Sequence, residues 1–155
     1  GLAYVLTGLT RLGQAEPLTA RFRGEGFDWQ GAFIALGIGN GRQAGGGQVL
    51  CPKAVVDDGL IDLTIVPDEP GDDSDLFSLL ATALSAGRAA ALEQIGVCAR
   101  MPWLEITAAQ PFTLNLDGEP MQASRFRIEA VPARLRMHLP SISPLLSPAG
   151  KDGHA

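Results

Sequence analysis

The sequence predicts a mainly β protein, an antiparallel β-sandwich with one or two helices at its side. Three observations predict this. Glycine occurs 19 times and proline 11 times in 155 residues, punctuation that suits many short elements joined by tight turns. Several segments alternate apolar and polar residues with the period of a half-buried strand. After the opening segment, only one long stretch, SDLFSLLATALSAGRAAALEQ, reads as helix, being rich in Ala and Leu and free of proline. Runs of strands with so few helices argue for a sandwich or barrel with a helix packed beside it.

The elements follow in order. Leu2, Val5, Leu6, Leu9 and Leu12 fall at helical spacing, so residues 1–15 read as a short linker helix ending near Gly13. Leu18 to Arg23 alternates, Gly24-Glu25-Gly26 turns, and Phe27 to Gln30 returns as a hairpin partner. Ala32 to Ile38 is a nearly continuous apolar run, as expected of a buried central strand. Leu60 to Val66 reads as a further strand. The helix lies between Asp73 and Gln94, with Asp72, Asp73 and Asp75 at its start, where the helix dipole favours negative charge, and with Gly87 as a point of interruption. Strands resume at Val97–Arg100, Leu104–Thr107, Phe112–Leu116, Phe126–Ala130 and Leu135–Leu139, and Asp117-Gly118 is a strong turn signal among them. From residue 141 the chain is rich in Pro and Ser and reads as a mobile tail, leaving 16–140 as the body of the domain.

Composition excludes several function classes. The chain is 46% hydrophobic and 19% charged, enough for a real core. A net charge of −5 with no basic block argues against a nucleic-acid partner, because affinity for the phosphate backbone needs clustered positive charge. Cys51 and Cys98 are the only cysteines, and the sequence reads them as two free thiols in a reducing compartment. No apolar run approaches the ~20 residues that span a bilayer, although peripheral contact with a membrane surface is compatible with the sequence.

Three motifs invite chemistry. Gly37 to Gly47, GIGNGRQAGGG, resembles a nucleotide loop only superficially, since no helix N-terminus follows to receive a phosphate. Sharp turns and close backbone approach explain its glycines better. Asp57-Asp58-Gly59 and Asp117-Gly118-Glu119 read first as hairpin turns with solvated carboxylates. The sharper reading of the first turn is a hard-cation loop, built from one carboxylate plus backbone carbonyls and waters. For the second, a carboxylate held between Asp-Gly and Pro120 has the makings of a general base.

The segments GIGNGRQAGGGQVLCPKAVVDDGLIDLTIV and FTLNLDGEPMQASRFRIEAVPARLRMHLP resemble the C-terminal domain of YegS-like bacterial lipid kinases, of the diacylglycerol kinase catalytic family. The resemblance covers about residues 18 to 140 and rests on the order G-N-G-R-x-x-G-G-G, D-D-G-L, L-D-G-E-P. It implies a second, N-terminal domain carrying a Gly-Gly-Asp-Gly-Thr motif for ATP, a motif that residues 1–155 do not contain. It further implies Mg2+ held by the Asp58 side chain with the carbonyls of Val55 and Leu60, and Glu119 as proton acceptor. A lipid hydroxyl would be the substrate, and the site of action the cytoplasmic side, at the inner membrane surface. An NAD kinase-like domain and a non-enzymatic binding module are the rival readings. Because the nucleotide motif is absent, the 155-residue chain alone should show no micromolar affinity for Mg-ATP by isothermal titration.

Overall fold

The computed structural model describes residues 16–44, 47–68, 82 and 86–147. Among the described residues the elements run, in order, β1 (Leu18–Gly24), β2 (Phe27–Gly39), β3 (Gln43–Ala44), β4 (Gln48–Val49), β5 (Ile61–Pro67), α1 (Arg88–Ile95), β6 (Val97–Met101), β7 (Trp103–Leu116) and β8 (Glu119–Glu129). Six strands form one antiparallel sheet in the order β6-β5-β2-β1-β7-β8, and β3 and β4 form a separate ribbon. The mainly β, antiparallel expectation is met. The linker helix expected over 1–15 and the first part of the expected second helix lie outside the described residues. Gly87, whose φ of 90° is open to glycine, stands directly before the start of α1.

Two pairs of expected strands prove to be single strands. Phe27–Gln30 and Ala32–Ile38 are both β2, whose first half pairs with β1 and whose second half pairs with β5, with a register shift between Phe33 and Ala35. Leu104–Thr107 and Phe112–Leu116 are both β7, interrupted by a shift between Thr107 and Phe112 in its pairing with β8. Such irregularities bend a strand and strengthen its twist. Here they let the sheet curl, for one core cluster draws from all six strands: Phe22 of β1, Phe33 of β2, Leu63 of β5, Met101 of β6, Leu104 of β7 and Phe126 of β8. The curl brings β6 against the turn end of β1. A side chain at Gly24 would collide with Met101 Sδ and approach the Trp103 carbonyl to 2.8 Å.

Leu135–Leu139 forms no strand. The alternation is real, but Leu135 and Met137 are 81% and 69% exposed and pair with nothing in the sheet. The expected tail beyond 140 is anchored over 141–147. Leu145 accepts from the Val56 amide at 2.8 Å, and Pro144 accepts from Arg42 Nη2 at 2.7 Å.

Phe22 is fully buried, with Trp29 and Phe33 ring centroids at 5.6 and 5.4 Å. Phe22→Ala should therefore cost about 3–5 kcal/mol through the cavity it leaves, read as a lower urea midpoint with unchanged slope. The exposed Leu135→Ser should stay within about 0.5 kcal/mol of the parent chain.

Candidate functional site

β5 is covered on both faces. Ile61, Leu63 and Ile65 enter the core, while Asp62 and Thr64 are buried on the opposite face, 4% and 3% exposed. Their neighbours on β2 by register are Gly39 and Gly37. With no side chains there, the segment Leu50–Cys51 lies directly on the sheet: a Cβ at Gly37 would meet Leu50 Cβ at 3.0 Å, and one at Gly39 would meet Cys51 Sγ at 3.7 Å. The Cys51 thiol donates to the Asp62 carbonyl at 3.4 Å. The glycine motif is thus a bed for a crossing segment, and no phosphate cradle is needed to explain it.

Arg42 and Asn40 fasten that segment. The Arg42 carbonyl accepts from the amides of Leu50 and Cys51 at 3.0 and 3.3 Å. Arg42 Nε donates to the Ala54 carbonyl at 2.9 Å, and Asn40 Nδ2 donates to the Val56 carbonyl at 3.4 Å. The loop so held ends in the Asp57-Asp58-Gly59 turn. Asp57 is exposed, as the sequence suggests, yet it does not simply point to solvent. Its Oδ1 and Oδ2 accept from the Ser147 amide and hydroxyl at 2.7 and 2.9 Å. Asp58 is half-buried, and its Oδ1 accepts from the Leu60 amide at 2.9 Å, closing a local Asx turn. Gly59 has φ 73°, and Pro132 packs over it. Val55 and Leu60 are half-buried on either side of the turn.

Arg100 organises the charges. β6 pairs it with Asp62. Its Nη2 is bonded to Asp58 Oδ2, and its Nε stands 3.3 Å from Asp62 Oδ1. Asp62 Oδ2 is buried without a hydrogen-bond partner. Burial pushes the Asp62 carboxyl above the usual range, against the pull of Arg100. Beside this pair opens a cavity of about 250 Å³ lined by Cys51, Lys53, Thr64 and Cys98 among others. A carboxylate is a donor type that a hard cation takes, and the unpartnered Asp62 oxygen marks the place as electrostatically incomplete. Arg100 would have to leave Asp58 Oδ2 for a cation to bind there.

Glu119 lies elsewhere. Asp117 and Gly118, with φ of 51° and 106°, make the two-residue turn between β7 and β8, and the Gly118 amide donates to Asn115 Oδ1 at 2.7 Å. Glu119 opens β8 opposite Leu116. Its side chain is exposed and makes no hydrogen bond or ion pair with the described residues. β8 is an edge strand, which is why Pro120 fits in it. The Asp58 turn lies near the other end of this hairpin, since Pro132, which covers Gly59, follows shortly after the end of β8. Eleven residues of β8, at roughly 3.3 Å each, run between the two places. The structure does not bring Glu119 and Asp58 into one cluster.

Sequence reasoning missed Asp62 and Arg100, and carried Asn40 and Arg42 only as letters of the G-N-G-R motif, without a role. For Asp62 the signal was a polar residue inside the apolar run Ile61–Val66.

Residues 1–139 match the family described as the YegS C-terminal NAD kinase beta sandwich-like domain. The chain belongs to this family. Curated relatives named "Probable lipid kinase YegS-like" are 61% identical over 146 residues in Xanthomonas euvesicatoria pv. vesicatoria (strain 85-10) and 50% identical over 146 residues in Pseudomonas aeruginosa (strain UCBPP-PA14). Each alignment covers 94% of this chain and 46% of the relative, so the chain spans about half the length of these proteins. A crystal structure described as a diacylglycerol kinase from Bacillus anthracis str. Sterne superposes with a TM-score of 0.54 at 20% identity, over 78% of this chain and 39% of that one. At that identity the likeness shows a shared fold. Among the described residues no helix is long and apolar enough to cross a membrane, and no group of three His, Cys, Asp or Glu side chains is placed to hold a metal ion.

Both cysteines of this YegS C-terminal domain are free, Cys51 buried and Cys98 exposed. Burial, with the Asp62 charge beside it, pushes the Cys51 thiol up to about 12. The thiolate is the reactive form. A thiol reagent such as DTNB at pH 8 should therefore titrate Cys98 alone in the folded chain and both cysteines in denaturant. Rapid modification of Cys51 in the folded chain would show that its thiol is not buried.

Proposed function

We propose that this domain is the C-terminal half of an ATP-dependent lipid kinase that phosphorylates a lipid hydroxyl of the diacylglycerol or phosphatidylglycerol type. The observation that carries this reading is the match of residues 1–139 to the YegS C-terminal family, with relatives named as lipid kinases at 50% identity and above. ATP would be bound mainly by the preceding, N-terminal domain. The two free thiols fit a reducing, cytoplasmic setting, with the enzyme meeting its lipid at the inner membrane surface.

In this reading Glu119 is the catalytic group. Phosphoryl transfer asks the protein chiefly for positioning and charge stabilisation. The lipid hydroxyl oxygen forms a bond to the γ-phosphorus while the bond from that phosphorus to the β-phosphate oxygen breaks. The hydroxyl proton passes to the Glu119 carboxylate. The hairpin supports this role in two ways: a turn pinned by Asn115 fixes where β8 begins, and register puts Leu114, Leu116 and Met121 on the same face as Glu119. Leu116 and Met121 are half exposed, an apolar surface suited to the chain of a lipid whose hydroxyl sits at the carboxylate.

Asp58, with the carbonyls of Val55 and Leu60, would hold Mg2+, which supplies a fixed positive charge that orders the 55–60 loop. Its separation from Glu119 along the hairpin favours a structural role over a direct part in proton transfer. The residues at the turn order the chain between β4 and β5 and leave proton transfer to the hairpin tip.

In the full-length enzyme, Glu119→Gln should lower kcat by about 10²–10⁴-fold while leaving ATP affinity and folding intact. Asp117→Asn is the control. Asn is at home in a left-handed turn position, and Asn-Gly is a favoured hairpin turn, so that variant should keep both fold and activity. Near-normal kcat in Glu119→Gln would remove the residue from the reaction. Turnover of NAD in preference to lipid would favour an NAD kinase-like activity instead.

A further inference from the structure

We infer that Arg100 is the resident counter-ion of the Asp58 turn, and that it yields Asp58 to a divalent cation by closing onto the unpartnered oxygen of Asp62. This rests on the reading of Asp58 as a cation ligand and assigns two further residues, Arg100 and Asp62, that position the site.

The geometry carries the argument. A guanidinium presents Nε and Nη2 along one edge as a fork matched to the two oxygens of a carboxylate. Here that edge is split. Nη2 is bonded to Asp58 Oδ2, whereas Nε makes a loose contact of 3.3 Å with Asp62 Oδ1. The other oxygen of Asp62 has no partner, although the side chain is only 5% exposed. A buried carboxylate oxygen without a donor is an unstable arrangement. If Nη2 leaves Asp58, the same edge can close on both oxygens of Asp62 with only side-chain rotation, because Asp62 and Arg100 are direct cross-strand partners. The cavity of about 250 Å³ alongside gives the guanidinium room to turn.

Asp58 would stay in place when Arg100 leaves. Its Oδ1 remains tied to the Leu60 amide at 2.9 Å, so Oδ2 alone changes partner. The net charge is of the right sign. Asp58, Asp62 and Arg100 together carry −1, which attracts a divalent cation without neutralising it fully, while Lys53 at the cavity is already paired with Glu93 at 3.0 Å. Arg42, whose charge also reaches Asp62, is held by the Ala54 and Pro144 carbonyls and is not free to compete.

The test is a double-mutant cycle on the 155-residue chain, with Mg2+ as probe, read by isothermal titration. Arg100→Gln should bind Mg2+ roughly tenfold more tightly than the parent chain, because a competing charge is gone. Asp62→Asn should bind it several-fold more weakly, because Arg100 loses its second seat. In the Arg100→Gln background the Asp62→Asn effect should largely vanish. An Arg100→Gln variant that binds no more tightly overturns the proposal, as does an Asp62→Asn effect that persists undiminished without Arg100, which would make Asp62 a plain charge. Asp58→Asn separates the two levels: if it binds Mg2+ as well as the parent, or if neither the parent nor Arg100→Gln binds at all, the cation reading itself falls. Should a variant not fold, a crystal of the parent chain with Mn2+ decides. Expected there is Arg100 bidentate on Asp62; Mn2+ bound at Asp58 with Arg100 unmoved overturns the hand-over.

Discussion

The architecture turns on a bare strip of strand. At Gly37 and Gly39, β2 offers no side chains to the face of the sheet that carries Asp62 and Thr64, and the Leu50–Cys51 segment rests there in direct contact. Larger residues at these positions would lift that segment by the width of a side chain. Asp62 would then meet water, Arg42 would lose the amides and carbonyl it gathers, and the Asp57-Asp58-Gly59 turn would lose the scaffold that presents it. Glycine weakens a strand interior; here the loss is offset by a second covering layer, which makes β5 a strand buried on both faces.

That double burial explains why polar groups on β5 have such pronounced environments. A carboxylate in an apolar strand costs free energy unless it is met by a donor, and Arg100 meets only half of Asp62. The sheet's curl contributes as well. Irregularities in β2 and β7 let one core touch every strand of the six, so the domain closes around its apolar residues without needing a large second sheet among the described residues.

Much of this was legible in the sequence, and the limits have physical causes. The Glu25-Gly26 and Asp117-Gly118 turns are local, set by residues that tolerate positive φ, and both fall where expected. The strand over Ile61–Val66 announced itself by its apolar run. Strand continuity was not legible, because a register shift looks like an ending when only alternation is read: Phe33 to Ala35 and Thr107 to Phe112 each hid a single strand. Leu135–Leu139 failed for the opposite reason, since alternation makes a strand only where an edge accepts it. At the candidate site, the Asp58 turn and Glu119 came from motif order. Arg100 could not, because its meaning depends on the pairing of β6 with β5, a contact between residues 38 positions apart (Asp62 and Arg100).

β8 has a further consequence. An open sheet ends in unpaired backbone groups, and these invite pairing with the next copy of the same chain. This edge is poorly suited to that. Pro120 removes one donor near its start, Arg125, Arg127 and Glu129 place exposed charge along its later half, and the Arg127 guanidinium is occupied by Glu105 and Glu129 at 2.9 and 2.6 Å. A fibril-like ladder of sheets would have to bury those charges at every repeat. Among the described strands, the apolar face of the hairpin is therefore bordered by an edge that resists pairing with another copy.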